Sequence, residues 1–305
     1  MKILLLGKTG QIGWELRRSL APLGEVIAPD RPRGGADAGG ADLGQPEALA
    51  ARVLAWRPDV IVNAAGHTAV DRAETEPAEA RRINTEAVGA LAQVSRQINA
   101  LLVHFSSDYV FDGSGQRPWT EDDAAAPLNV YGATKLAGDR LVAGAGGRHL
   151  ILRTSWVHAP HGHGFIQSIL RQARTRERLS VVDDQTGAPT GADLVADVAA
   201  HAIRQVLQRP QDGGLYHLAA TGETSWHGCA RFVVDTVRER HPGWHLAVRD
   251  ITPVPASAYP APARRPANSR LDTTRLRQTF GLHLPDWREG VRRTLAEMRP
   301  DGESE

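Results

Sequence analysis

The chain has 305 residues, with 36 Lys plus Arg against 35 Asp plus Glu, which is length enough for one large domain or two associated ones. Balanced charge lends no support to nucleic acid or an anionic membrane surface as the main partner. The apolar start Met1–Gly7 is too short for a signal segment, no stretch approaches the ~20 apolar residues of a membrane span, and the lone Cys229 cannot form an internal disulfide, so the expectation is a cytoplasmic protein.

Uninterrupted apolar runs mark buried parallel strands at Ile3–Leu6, Val26–Ala28, Val60–Asn63, Leu101–Ser106 and Leu150–Thr154. Between them, segments of helical period lie at Gly13–Leu23, Pro46–Trp56, Pro77–Ile98 and Val130–Ala143. This alternation predicts an α/β fold, a doubly wound parallel sheet of Rossmann type. Arg33–Gly40, rich in Gly and Ala, reads as a mobile loop. Past residue 155 the pattern loosens. Helices are expected at Phe165–Arg176, Ala192–Gln208, Thr273–Phe280 and Trp287–Met298, with a strand at Leu215–Ala219. Proline-dense Val254–Pro266 must be irregular. The expected division is a dinucleotide-binding domain at 1–155, with a returning segment near 192–220. A smaller mixed domain for the substrate takes 156–191 and 221–305.

Gly7-Lys8-Thr9-Gly10-Gln11-Ile12-Gly13 follows the first strand and opens a helix. Glycines there allow a tight turn and close approach of a pyrophosphate, whose charge the helix N-terminus stabilises. Asp30, expected to end the second strand, suits the ribose hydroxyls of NADH. Arg31 and Arg33 suit the 2′-phosphate of NADPH, so the choice stays open. Asp42-Leu43 is expected to end the next strand near the adenine, and the small Ala64-Ala65-Gly66 lets a cofactor lie against backbone.

Tyr131 and Lys135 are four residues apart on a helix and share a face. A free phenol, with a pKa of ~10, is a sluggish acid, and an adjacent ammonium would draw it toward the working range. Ser106-Ser107-Asp108 stands at a strand end upstream, where a hydroxyl can bond a substrate carbonyl. Cys229 reads as a packed small hydrophobe, and His158, His161 and His163 as a polar loop.

In this order and register the motifs resemble the extended short-chain dehydrogenase/reductases, and within them the dTDP-4-dehydrorhamnose reductase family. The segments that carry the resemblance are GKTGQIGWEL (Gly7–Leu16), VNAAGHTAVDRAE (Val62–Glu74), SSDYVFDG (Ser106–Gly113), PLNVYGATKLAG (Pro127–Gly138), RTSWV (Arg153–Val157), DQTGAPT (Asp184–Thr190) and RPANSRL (Arg265–Leu271). The resemblance implies that Ser107, Tyr131 and Lys135 are catalytic and that Asp108 and Trp156 approach the sugar. His67, Asp71 and Asn84 would hold loops, and Arg265 offers a planar fork to a substrate diphosphate. It also implies a homodimer with Mg²⁺ held by acids where subunits meet. The matching positions are Glu15, Asp193 and Glu297, with Asp193 the shorter acid where glutamate is expected. The implied reaction is NADPH- or NADH-dependent reduction of a dTDP-linked 4-keto sugar. The rivals are a sugar-nucleotide epimerase or dehydratase and a non-catalytic regulatory subunit of the same fold.

Overall fold

The computed structural model describes residues 1–31 and 40–299. Arg33, and the expected loop Arg33–Gly40 except Gly40 itself, lie outside the described residues.

Five apolar segments form the strands β1 (Lys2–Leu6), β2 (Glu25–Ile27), β3 (Val60–Asn63), β4 (Leu101–Ser107) and β5 (His149–Thr154). With the edge strand Gly214–Leu218 they make one six-stranded sheet, in the order Gly214–Leu218, β5, β4, β3, β1, β2. Every pairing in it is parallel. β3 and β4 are buried along their whole length, which is why they read as continuous rather than alternating apolar runs.

Helices cover both faces. On one side α1 (Gln11–Leu20) and the helix Ala192–Gln208 pack with Leu16, Leu20, Val195 and Ile203 against Ile3, Leu5 and Val103. On the other side α2 (Pro46–Trp56) and a broken helix cover Leu4, Leu6 and Ile61. That broken helix begins with α3 (Val70–Thr75), outside the expected helix, and where one helix is expected at Pro77–Ile98 it runs as α4 (Pro77–Arg81), a π-helical turn at Arg82–Glu86 and α5 (Ala87–Gln97). The next helix, α6 (Val130–Gly144), carries the Tyr-x-x-x-Lys pair.

Two expectations change. No strand ends at Asp42-Leu43 among the described residues; Asp42 instead accepts a hydrogen bond from Gly44 N at 2.9 Å and turns the chain into α2. Asp30 lies three residues beyond β2, which stops at Ile27. Beyond residue 155 a second apolar cluster gathers Ile166, Ile169, Leu179, Val233, Trp287 and Val291. It contains a parallel pair, Arg178–Val182 with Asp250–Val254, and a helix, Trp226–Arg240, for which the sequence pattern held no reading. Leu276, Phe280 and Leu284 pack on the main sheet. Among the described residues no helix is long and apolar enough to cross a membrane.

Candidate active site

The carboxyl ends of the strands open into a cleft of about 1130 Å³. It is lined by Gly7, Gly10, Gln11, Ile12, Asp30, Arg31, Asp42, Leu43, Ala64, Ala65 and Gly66 on one side. Ser107, Asp108, Tyr131, Lys135, Trp156 and Arg265 line it on the other. Such a crevice at the strand ends is where doubly wound folds bind ligands.

The three loop glycines do different work. Gly7 has φ +87°, and a Cβ there would stand 2.6 Å from Ala65 N. Gly13 does not line the cleft; its Cβ would lie 1.9 Å from Gly7 O, so it fastens α1 to the loop. At Gly10 the nearest atom would be 3.6 Å away, so packing does not require glycine there. Gly10 is the N-cap of α1 and no side chain caps its amides, which leaves them for an anion in the cleft. Gln11 Nε2, buried without a partner, adds a further donor beside them. The cradle fits a dinucleotide pyrophosphate.

Around the adenosine end, Asp30 pairs with Lys8 at 3.0 Å and Arg31 with Asp42 at 3.3 Å. Both candidate selectors therefore sit at the cleft, each already holding an opposite charge. Asn84, in the π turn, clamps the loop after β3: its Oδ1 accepts from His67 N at 2.8 Å and its Nδ2 donates to His67 O at 3.0 Å. A π turn re-aims side chains without ending the helix, and this one faces the site.

Ser107 closes β4 and caps the following turn, accepting from Tyr109 N at 3.1 Å and donating to Asp108 Oδ1 at 2.9 Å. Asn129 caps α6 by accepting from Gly132 N at 2.8 Å. A Cβ on Gly132 would lie 2.1 Å from Tyr109 O. Only glycine lets α6 press onto that turn, and the contact brings Tyr131 beside Ser107. The Tyr109 and Tyr131 rings meet edge to face at 5.6 Å.

Burial decides the electrostatics. It pushes the Tyr131 phenol up to about 12, against a hydrogen bond with Ser107 that lowers it. The net shift is upward, against the lowering expected beside Lys135. Lys135 Nζ donates to Phe105 O at 2.5 Å and faces His104 Nε2 at 3.4 Å. Burial likewise draws Lys135 down to about 8 and lifts Asp108 up to about 6.

Trp156 has φ +49° and stacks on Trp226 with ring centroids 3.5 Å apart. A non-glycine residue in that region of φ/ψ space is held there at a cost, as happens at ligand sites. Arg265 reaches the cleft from the proline-rich stretch but gives both amino groups to Asp71, at 3.1 and 2.6 Å. That ion pair holds the Asp71 carboxyl below its usual range. His104, Asp139 and Trp226 belong to the site or its support, and no motif spacing points to them; Tyr109, inside SSDYVFDG, joins them. Within this one chain, the three acids expected to hold Mg²⁺ between subunits each face an arginine. Glu15 pairs with Arg18, while Asp193 and Glu297 both pair with Arg293. Among the described residues no three His, Cys, Asp or Glu side chains gather to hold a metal.

A parallel Rossmann sheet, a glycine cradle at its first turn, and a strand-end serine beside Tyr-x-x-x-Lys define a nicotinamide-dependent short-chain dehydrogenase/reductase. Residues 1–300 match the family described as RmlD substrate binding domain. The dTDP-4-dehydrorhamnose reductase of Escherichia coli K12 is 52% identical over 298 residues, covering 98% of each chain. A crystal structure of a dTDP-4-dehydrorhamnose reductase from Clostridium acetobutylicum superposes with a TM-score of 0.85 at 30% identity, over 97% of this chain and 99% of that one. The Bacillus anthracis enzyme in complex with NADP gives the same figures, TM-score 0.85, 30% identity, 97% and 99%. The chain belongs to the dTDP-4-dehydrorhamnose reductase family.

Proposed function

We infer that the protein reduces the 4-keto group of dTDP-4-dehydro-6-deoxy-L-mannose, giving dTDP-L-rhamnose for cell-surface polysaccharide. The observation that carries this reading is the convergence of the glycine cradle with Ser107, Tyr131 and Lys135 on one cleft. It occurs in a chain that matches a curated reductase at 52% identity along nearly its whole length.

The bound nicotinamide, from NADPH or NADH, supplies a hydride to the carbonyl carbon. Ser107 exchanges its bond to Asp108 for one to the carbonyl oxygen and so holds the sugar in register. Tyr131 keeps its proton in the resting site, because burial disfavours phenolate. It releases that proton to the substrate oxygen as negative charge grows there. Lys135 holds the ribose and stabilises the charge left on Tyr131. Trp156 and Asp108 bound the sugar, and Arg265 faces its diphosphate with a guanidinium that Asp71 keeps aligned. Holding the nucleotide far from the reacting carbon orients the carbonyl.

In this reading residues 1–155 and 192–220 form the dinucleotide-binding domain, and 156–191 with 221–305 the sugar-nucleotide domain. The separate apolar cluster beyond residue 155 supports that division, except that Leu276, Phe280 and Leu284 pack on the main sheet of the first domain. A cytoplasmic homodimer completes the proposal, with the buried lone Cys229 suiting a reducing compartment. Replacing Tyr131 by Phe tests the chemistry: turnover should fall by roughly 10²–10⁴-fold, the usual worth of general acid catalysis. Near-normal turnover in a folded variant would remove Tyr131 from its role.

A further inference from the structure

Beneath the catalytic lysine lies a set of buried polar groups that the reaction as written does not use. His104, on β4, is fully buried, and Asp139, one turn beyond Lys135 on α6, is 3% exposed. Asn63 presents a donor to one ring nitrogen of the histidine. Its Oδ1 accepts from Ala65 N at 3.2 Å, so its Nδ2 is the atom facing His104 Nδ1 at 3.4 Å. Where Nδ1 accepts from it, a neutral ring carries its proton on Nε2. Burial and the neighbouring lysine charge keep the ring neutral.

Nε2–H faces two groups. One is Lys135 Nζ at 3.4 Å, an ammonium with donors only; the other is Asp139 Oδ1 at 3.8 Å, buried and without a hydrogen-bond partner. The other oxygen of Asp139 is saturated by Ser106 Oγ at 2.9 Å and Arg153 Nε at 3.1 Å. An N–H cannot receive the ammonium's hydrogens. Phe105 O takes one of them, and Lys135 lines the cleft.

We propose that His104 and Asp139 are a positioning pair behind Lys135. His104, as the Nε2–H tautomer, blocks the rear of the ammonium so that its free N–H groups aim at ribose and Tyr131, and Asp139 supplies the counter-charge that keeps the ammonium protonated. The proposal rests on the cleft being the reductase site. The charged or titratable groups around Lys135 are Tyr131 and Asp139 on α6, His104 on β4, and Arg153 on β5 beyond Asp139.

Nitrogen-15 NMR of the wild-type protein, with His104 assigned by loss of its signal in His104→Gln, reads the tautomer without substrate. A pyrrole-like Nε2 and pyridine-like Nδ1 are expected; the reverse pattern, or an imidazolium, overturns the proposal. Asp139→Asn keeps the shape and removes the charge. The alkaline limb of its kcat/KM profile should then move to lower pH by about one unit, since an opposite charge this near shifts a titration by that order. Asp139→Glu should restore the limb. A uniform loss of kcat with the limb unmoved would make Asp139 merely structural and overturn the pairing. Should Asp139→Asn fail to fold, the wild-type tautomer decides. A wild-type protein inactive on the sugar nucleotide would refute the proposed function while leaving the tautomer result intact.

Discussion

Replacing Gly10 and Gly13 separately by Ala should divide cofactor binding from folding. At Gly13 the new methyl would start 1.9 Å from Gly7 O and 2.7 Å from Gly7 C, both backbone atoms that cannot swing aside. Forcing such a group into a packed site costs about 1–3 kcal/mol, and the melting temperature should fall by about 2–10 °C. At Gly10 the nearest atom is 3.6 Å away and the backbone is already extended, with φ −74° and ψ 165°. Gly10→Ala should therefore lose only glycine's N-cap preference over alanine, about 1 kcal/mol or less, and melt within about 4 °C of the parent. Its methyl instead occupies space over the open amides of α1. Weakening one or two charge-assisted hydrogen bonds, each worth ~1.5–3 kcal/mol, should raise the Kd for NADPH by about 10- to 100-fold. Thermal melts without cofactor and fluorescence titration with NADPH read the two effects. Unchanged NADPH affinity in Gly10→Ala, or a wild-type melt in Gly13→Ala, would refute this assignment of the glycines.

Four further outcomes are expected. Turnover should decline as pH rises through about 8, where buried Lys135 loses the charge it needs, and a rate flat to pH 9.5 would contradict that role. NADH and NADPH should both serve, and Arg31→Ala with Arg33→Ala should lower the preference for NADPH; an unchanged ratio in steady-state kinetics makes the arginines mere solvated charges. Arg265→Lys, which loses the bidentate fork, should raise KM for the dTDP-sugar by about 10-fold or more while leaving cofactor Kd alone, as measured by parallel titrations. Thorough chelation should leave activity unchanged, because Glu15, Asp193 and Glu297 already hold arginines; loss of activity restored by Mg²⁺ would show otherwise.

The parts of the molecule legible in the sequence are those where one physical constraint dominates. Strands buried on both faces must be apolar throughout, so β1, β3, β4 and β5 stand out to within a residue or two. Gly7 and Gly13 stand out because a tight turn and a helix contact exclude side chains there, while at Gly10 packing alone does not require glycine. The Tyr131–Lys135 pair is readable because one helix sets both positions. His104 and Asp139 escape notice because they meet Lys135 only after β4 and α6 pack, and a histidine inside an apolar strand looks like any core residue. Trp226 joins the site across 70 residues from Trp156, and no local period encodes that stack. The arginines that neutralise Glu15, Asp193 and Glu297 are likewise tertiary facts. So is the lift of the Tyr131 phenol, which reflects how deeply α6 is pressed against the turn at Tyr109.

The most direct test of the account is the stoichiometry of the reaction. A reductase leaves the hydride in its product, whereas an epimerase or dehydratase returns it and a regulatory subunit transfers none. Purified protein given dTDP-4-dehydro-6-deoxy-L-mannose and NADPH should lose nicotinamide absorbance in a one-to-one match with dTDP-L-rhamnose formed. The same sugar without its nucleotide should turn over far more slowly. Conversion of the sugar with no loss of absorbance would contradict the reductase assignment, and no conversion across a panel of dTDP-keto-sugars would leave a binding protein in its place.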